Sequence, residues 1–229
     1  MREIVMDTET TGLDPSTGDR IVEIGGVELF NHMPTGKTYH QYINPKRDMP
    51  EGAFAVHGLS AEFLSDKPVF KDIAQEFLDF IGDSKLVIHN ASFDMKFLNA
   101  ELKRVERAEL PWVQAIDTLA IARKKFPGAQ NSLDALCRRF GIVTERELHG
   151  ALLDSEILAE VYLELIGGRQ PDFALSIVAS QSSNTDGGED WTPPSRPTKL
   201  SSRISNTEAE AHTKFVKNLG EKAVWKIFD

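Results

Sequence analysis

Three segments rich in β-forming residues, "EIVMDTE", "RIVEIGGVELF" and "KTYHQYIN", follow one another near the start of the chain, ahead of any helical periodicity. The links between them, "DPSTGD" and "HMPTGK", are short and carry turn residues. Strands joined so closely leave no room for a crossover helix, so they pair as an antiparallel meander. The pattern then changes. "VFKDIAQEFLDFIG" has apolar residues at helical spacing with Gly82 at its end, "KLVIHN" is a short apolar strand, and "SFDMKFLNAELKRV" reads as a helix with Ser92 as its N-cap. "DTLAIARKKF", "SLDALCRRFG" and "ALLDSEILAEVYLELIGG" add three more helices. A meander followed by strands alternating with helices implies one mixed sheet flanked by helices, an α/β layer architecture.

The first strand carries an electrostatic problem. In "DTETTG", Asp7 and Glu9 are two residues apart, so an extended chain projects both to one face. Like charges that close repel unless something positive lies between them. Further acids stand at matching places. Asp94 in "VIHNASFD" lies just past a strand, where α/β proteins collect catalytic groups. Asp154 in "LHGALLDS" lies in the first turns of a long helix, and Asp117 in "QAIDTLA" is at a strand-to-helix junction, where it reads as a helix cap or supporting acid. His149 precedes Asp154 by five residues, a spacing that does not share a helix face, and Gly150 puts it in the loop before the helix. A donor set dominated by carboxylates selects magnesium or manganese over zinc. Several carboxylates around two such ions, about 3.5–4 Å apart, form a clamp for in-line attack on a phosphodiester. Asp7 and Glu9 then share a face because cations lie between them.

The chain of 229 residues has a formal charge of −9. Residues 168–229 are balanced, with eight basic and eight acidic side chains, so the 18 basic and 27 acidic residues of 1–167 carry the whole excess. Such a domain is a poor trap for nucleic acid by itself, so metal ions and a partner must supply the attraction. The single cysteine, Cys137, excludes an intramolecular disulfide, and no apolar run approaches the ~18 residues of a membrane span. The expectation is a cytoplasmic protein with no leader and no membrane association. Residues 176–206, rich in Ser, Thr, Pro and Gly, read as a flexible linker. Beyond it, Phe215, Leu219, Val224, Trp225 and Phe228 form an apolar set too small for a core of its own. A segment of that kind behind a linker reads as a docking peptide, or else packs back on the first domain.

"DTETTG", "HNASFD" and "HGALLD" resemble, in order, the three motifs of the DEDDh 3′–5′ exonucleases. "VHGLS", "FPGAQNSLDALCRRFGI" and "HGALLDS" further resemble the proofreading epsilon subunits of bacterial DNA polymerase III. The resemblance implies an RNase H-like exonuclease fold with a central mixed five-stranded sheet over residues 1–168. It implies that Asp7, Glu9, Asp94 and Asp154 hold two divalent ions, Mg²⁺ or Mn²⁺, and that His149 is the general base. Thr8, Thr10, Leu13 and Phe93 would line the pocket of the terminal nucleotide, with His57 and Val56 against the last base and Glu51 also touching substrate. Gln170, Phe173 and Leu175 in "QPDFAL" (170–175, within the segment 169–175) resemble a sliding-clamp-binding hexapeptide. Residues 207–229, with Phe215, Leu219, Trp225 and Phe228, would dock on the polymerase catalytic alpha subunit. The implied function is removal of mispaired 3′-terminal deoxynucleotides from DNA 3′ ends. Two alternatives are a free-standing nuclease trimming RNA ends and a scaffold with an inactive nuclease domain.

Overall fold

The computed structural model describes residues 1–143, 148–167 and 204–219. Strands β1 (Arg2–Thr10), β2 (Ile21–Phe30), β3 (Met33–Tyr42), β4 (Lys85–Ile88) and β5 (Ala115–Asp117) form one sheet in the order β3-β2-β1-β4-β5. The first three are antiparallel neighbours, and β4 and β5 join parallel on the other side of β1. The mixed five-stranded sheet is thus as expected. Helices α1 (Glu51–His57), α2 (Ala61–Leu64), α3 (Phe70–Ile81), α4 (Ala91–Arg104), α5 (Thr118–Lys125), α6 (Leu133–Phe140) and α7 (Ala151–Leu165) complete the domain.

The alternation of β1 assigns its two faces. Ile4 and Met6 join the larger core, against Phe70, Phe77 and Ile81 of α3 and Met95, Leu98 and Leu102 of α4. Val5 faces the other way, into a smaller core with Leu158 and Tyr162 of α7. Beyond α7, a third cluster joins Ala122 of α5 and Leu136 and Cys137 of α6 to Ile157 and Val161. Asp7 and Glu9 have the parity of Val5, so they point to the α7 side.

Two contacts hold α7 to that face. At its C-terminal half, the Tyr162 hydroxyl donates 2.8 Å to the buried carboxylate of Glu3, whose other oxygen lies 2.7 Å from His32 Nδ1. At its start, α7 rides directly on Gly25 of β2, the register partner of Asp7. A Cβ at Gly25 would stand 2.2 Å from the Ala151 carbonyl carbon and the Leu152 nitrogen. Only a residue without a side chain lets the helix come that near.

Three sequence expectations need correction. Helix α4 begins at Ala91 with Asn90 as N-cap, not at Ser92, because Asn90 takes the left-handed conformation (φ 67°) and turns the chain two residues earlier. The β2–β3 turn is Asn31-His32, both at positive φ, and "MPTG" belongs to β3. Helices α1 and α2 occupy a stretch with no helical expectation, being too short for periodicity to mark them.

The segment 204–219 contains α8 (Asn206–Asn218), opened by a capping box between Ser205 and Glu208. Phe215 and Leu219, four residues apart on one face, are 60% and 48% exposed. Gln170, Phe173, Leu175, Trp225 and Phe228 lie outside the described residues.

Candidate active site

The C-terminal ends of the parallel strands β1 and β4 open onto a cleft of about 260 Å³. Asp7, Glu9, Asp94, His149 and Asp154 all line it. They arrive from one strand, two helices and a loop. Asp7 and Glu9 come from the α7 face of β1, and a bulge immediately after Glu9 breaks the register with β2. Asp94 comes from the first turn of α4, Asp154 from the first turn of α7, and His149 from the loop before it. The His149 peptide N–H donates 3.1 Å to the Val56 carbonyl, which ties that loop to α1.

Asp94 is the most buried of the acids, at 2% exposure. Its Oδ1 accepts a 2.7 Å hydrogen bond from the Thr8 hydroxyl, which leaves the opposite face of β1 from Asp7 and Glu9. Burial pushes the Asp94 carboxyl up to about 7, with the Thr8 bond opposing and nearby Asp117 adding to the rise. Asp117 itself caps α5 through the Leu119 and Ala120 N–H groups and accepts from the Asn90 N–H, the cap and supporting role expected of it. His149 is 46% exposed, and its Nδ1 lies 3.0 Å from Asp154 Oδ2. Ligand atoms of Glu9, His149 and Asp154 all fall within 4.8 Å of one another. Hard oxygens dominate this donor set, and a cation beside it would favour the ionised form of the buried Asp94. Residues of that chemistry fit Mg²⁺ or Mn²⁺.

Beside the carboxylates, and sharing Thr8, Glu9 and Phe93 with them, is a more enclosed and largely apolar cavity of about 450 Å³. Thr10, Leu13, Val56 and His57 also line it. Leu13 and Val56 are exposed at its mouth, and Phe93 packs on Phe97 with ring centroids 4.9 Å apart. His57 is buried; its Nδ1 accepts the Leu59 N–H at 3.0 Å, which puts the ring proton on Nε2. Burial lowers the His57 pKa, and the Thr10 backbone opposes. Glu51, the first residue of α1, is exposed and does not line this cavity, although its neighbours Pro50 and Gly52 do.

Two residues of the site escaped sequence reasoning. Gly25 brings the first turn of α7 down onto the sheet. Glu23 is buried on β2 directly opposite Glu9, and His40 Nε2 meets it at 2.7 Å. A glycine inside a strand was the only available sign of the first. The alternation of "IVEIGG" could have suggested the second.

The exonuclease family model matches residues 4–162. DNA polymerase III subunit epsilon of Rickettsia felis is 58% identical over 179 residues, covering 76% of this chain and 78% of that protein. The Escherichia coli K12 protein of the same name is 49% identical over 177 residues, covering 73% and 72%. Among solved structures, exonuclease X in complex with 5′ overhanging duplex DNA superposes with a TM-score of 0.58 at 28% identity, over 72% of this chain and 91% of the other. The nuclease domain of 3′hExo, a DEDDh family member bound to rAMP, gives 0.64 at 18% identity, over 73% and 92%, and shares the fold. Matched by the exonuclease family model over residues 4–162 and by relatives 58% and 49% identical over about three quarters of its length, the chain belongs to this exonuclease family, in the branch of the DNA polymerase III epsilon subunits.

Proposed function

We propose that this 3′–5′ exonuclease is the proofreading subunit of a replicative DNA polymerase, removing mispaired 3′-terminal deoxynucleotides with two divalent ions and His149 as general base. What carries the reading is the convergence of four carboxylates and one histidine on a single cleft, beside a more enclosed, largely apolar cavity of about 450 Å³. Asp7, Glu9, Asp94 and Asp154 would hold the ions. When bound, these neutralise charge on the phosphodiester and ease ionisation of water.

The protein's own groups do the rest. The cavity between Leu13, Val56, His57 and Phe93 receives the terminal base and sugar and excludes water from them. Thr8 holds the Asp94 carboxylate in place through its hydroxyl. His149, half exposed at the rim, takes the proton of the attacking water, a task suited to an imidazole near neutral pH. Selectivity for mispaired ends follows from fraying, because an unpaired terminus enters the cavity without the cost of unpairing.

The names of the relatives support association with a polymerase. Exposed Phe215 and Leu219 on one face of α8 are suited to a hydrophobic groove on the catalytic alpha subunit, with Trp225 and Phe228 following. Gln170, Phe173 and Leu175 would contact the sliding clamp. Tethering supplies the local concentration that an acidic domain lacks by itself.

The test is digestion of a labelled primer–template, matched or mispaired at its 3′ end, in Mg²⁺, with and without the polymerase catalytic subunit. Faster removal from the mispaired end, lost in His149→Ala and raised by the polymerase, is the expected result. Indifference to pairing together with a preference for RNA ends would replace proofreading with RNA trimming.

A further inference from the structure

On the side of the carboxylate cleft away from the nucleoside cavity lies a second hollow, of about 730 Å³. It shares His89, Ser132 and Leu133 with the cleft, so the three spaces run end to end. Its lining differs in charge from everything beside it. Among the described residues, the cleft is walled by five acids, Asp134 one of them, whereas this hollow has no acid and one cation, Arg123. Arg2, Arg20, Arg47 and Arg104 are each paired with a carboxylate. Arg123 is exposed and, among the described residues, makes no ion pair or hydrogen bond. The other walls are small or apolar, including Leu119, Pro127 and Leu133. α6 also turns its N-terminal end, at Ser132, toward the junction, where its dipole favours an anion.

An exonuclease needs a closed end for the nucleotide being removed and an open one for the strand that remains. The nucleoside cavity is the enclosed end, and the Arg123 hollow is open to solvent. We propose that the Arg123 hollow binds the penultimate nucleotide, with the Arg123 guanidinium pairing with the first phosphate upstream of the scissile one. The assignment rests on the nuclease reading above. In a domain with nine more acidic than basic residues, counted as 27 less 18 over 1–167, an arginine facing a hollow that no acid lines among the described residues draws the strand across acids that would otherwise repel it.

The experiment compares three thymidine substrates in Mg²⁺ with the full-length chain. The p-nitrophenyl ester of thymidine 5′-monophosphate and the dinucleotide have no phosphate upstream of the scissile one; the trinucleotide adds one. For each variant, the ratio of kcat/KM on trinucleotide to that on dinucleotide reads the subsite, and the ester gives the baseline. Wild type should gain about tenfold from the added phosphate, the scale of one charge-assisted hydrogen bond. Arg123→Ala should lose that gain, and Arg123→Lys should keep part of it. On a longer oligothymidylate, the slope of log kcat/KM against log salt should fall by about 0.7 in Arg123→Ala, as for one phosphate contact on a single strand. An unchanged ratio in Arg123→Ala overturns the subsite, including when all three substrates slow together. A wild-type chain inert toward every substrate overturns the nuclease reading instead.

Discussion

Replacing Gly25 by alanine should cost far more activity than one methyl group suggests. The added Cβ would stand 2.2 Å from the Ala151 carbonyl carbon, and ordinary contact begins at 3.4 Å, so α7 or β2 must give way by about 1.2 Å. Neither is a flexible side-chain end; both are backbone of packed elements. Alanine recovers about 0.5–1 kcal/mol of the chain entropy that glycine loses in a strand, but overpacking costs about 1–3 kcal/mol, so the net effect on stability is a loss of one or two kcal/mol. The catalytic effect is larger. Asp154 is three residues beyond Ala151, in the same first turn, and His149 is two residues before it. Both would be carried away from Asp7 and Glu9, and a misplacement near 1 Å can cost about a hundredfold in rate. Gly26→Ala is the control. Its Cβ would point to the other face, where the tightest approach is 3.2 Å to the Phe80 ring edge, a side chain that can yield, and Ile4 and Tyr39 lie at ordinary contact distance. The assay is kcat on the thymidine 5′-monophosphate ester at saturating Mg²⁺, with stability from denaturant unfolding. Gly25→Ala should lose about two orders of magnitude in kcat and Gly26→Ala less than about threefold. Equal, small losses in both would refute the close approach as the device that positions Asp154.

Thr8→Val removes the hydroxyl that lowers the Asp94 pKa while keeping the side chain's shape. The acid limb of the pH–rate profile should move upward, and kcat/KM at neutral pH should fall about tenfold; a superimposable profile would contradict the role given to Thr8. Tyr162→Phe leaves the buried Glu3 carboxylate short of a donor, so unfolding in urea should show a loss of about 1–3 kcal/mol with kcat retained, and no loss would refute the anchor. In the ion-free protein, burial raises Asp94 from 3.8 to about 7, so the protonated form is the stabilised one. That contribution is complete below about pH 4 and is lost as pH rises to about 7. The increase in Tm on adding Mg²⁺ should therefore grow across this window, and an increase identical at about pH 5 and about pH 8 would refute it.

The parts of this molecule that could be read in advance are those governed by period and order. The placement of Asp7 and Glu9 on one face needed only the two-residue repeat of a strand, and the mixed sheet needed only the sequence of element types. Asp117 as a cap follows from its position before "TLAIARKK". What escaped reading depends on three dimensions. Asn90 opens α4 in a left-handed conformation that nothing in "VIHNASFD" marks against the equally good cap Ser92. The hairpin turns at Asn31-His32, where His32 reaches Glu3 across the start of β1, a contact 29 residues away in the chain. Helices α1 and α2 are seven and four residues long, less than the span over which amphipathic spacing declares itself. Gly25 and Arg123 are ordinary in their local sequence; only the helix over one and the hollow before the other give them meaning.

The alternation along β1 has a consequence for how the enzyme can fail. Ile4 and Met6 enter the α3–α4 core on one side, and Asp7 and Glu9 enter the cleft on the other. Sliding the strand by a single residue against its neighbours would exchange the two sets at once, driving both acids into hydrocarbon and both aliphatic side chains into the cleft. The penalty for mispairing is thus levied on the core and the chemistry together, and no slipped form can persist as a weakly active enzyme. A turnover measurement on this protein is also a count of correctly registered strands.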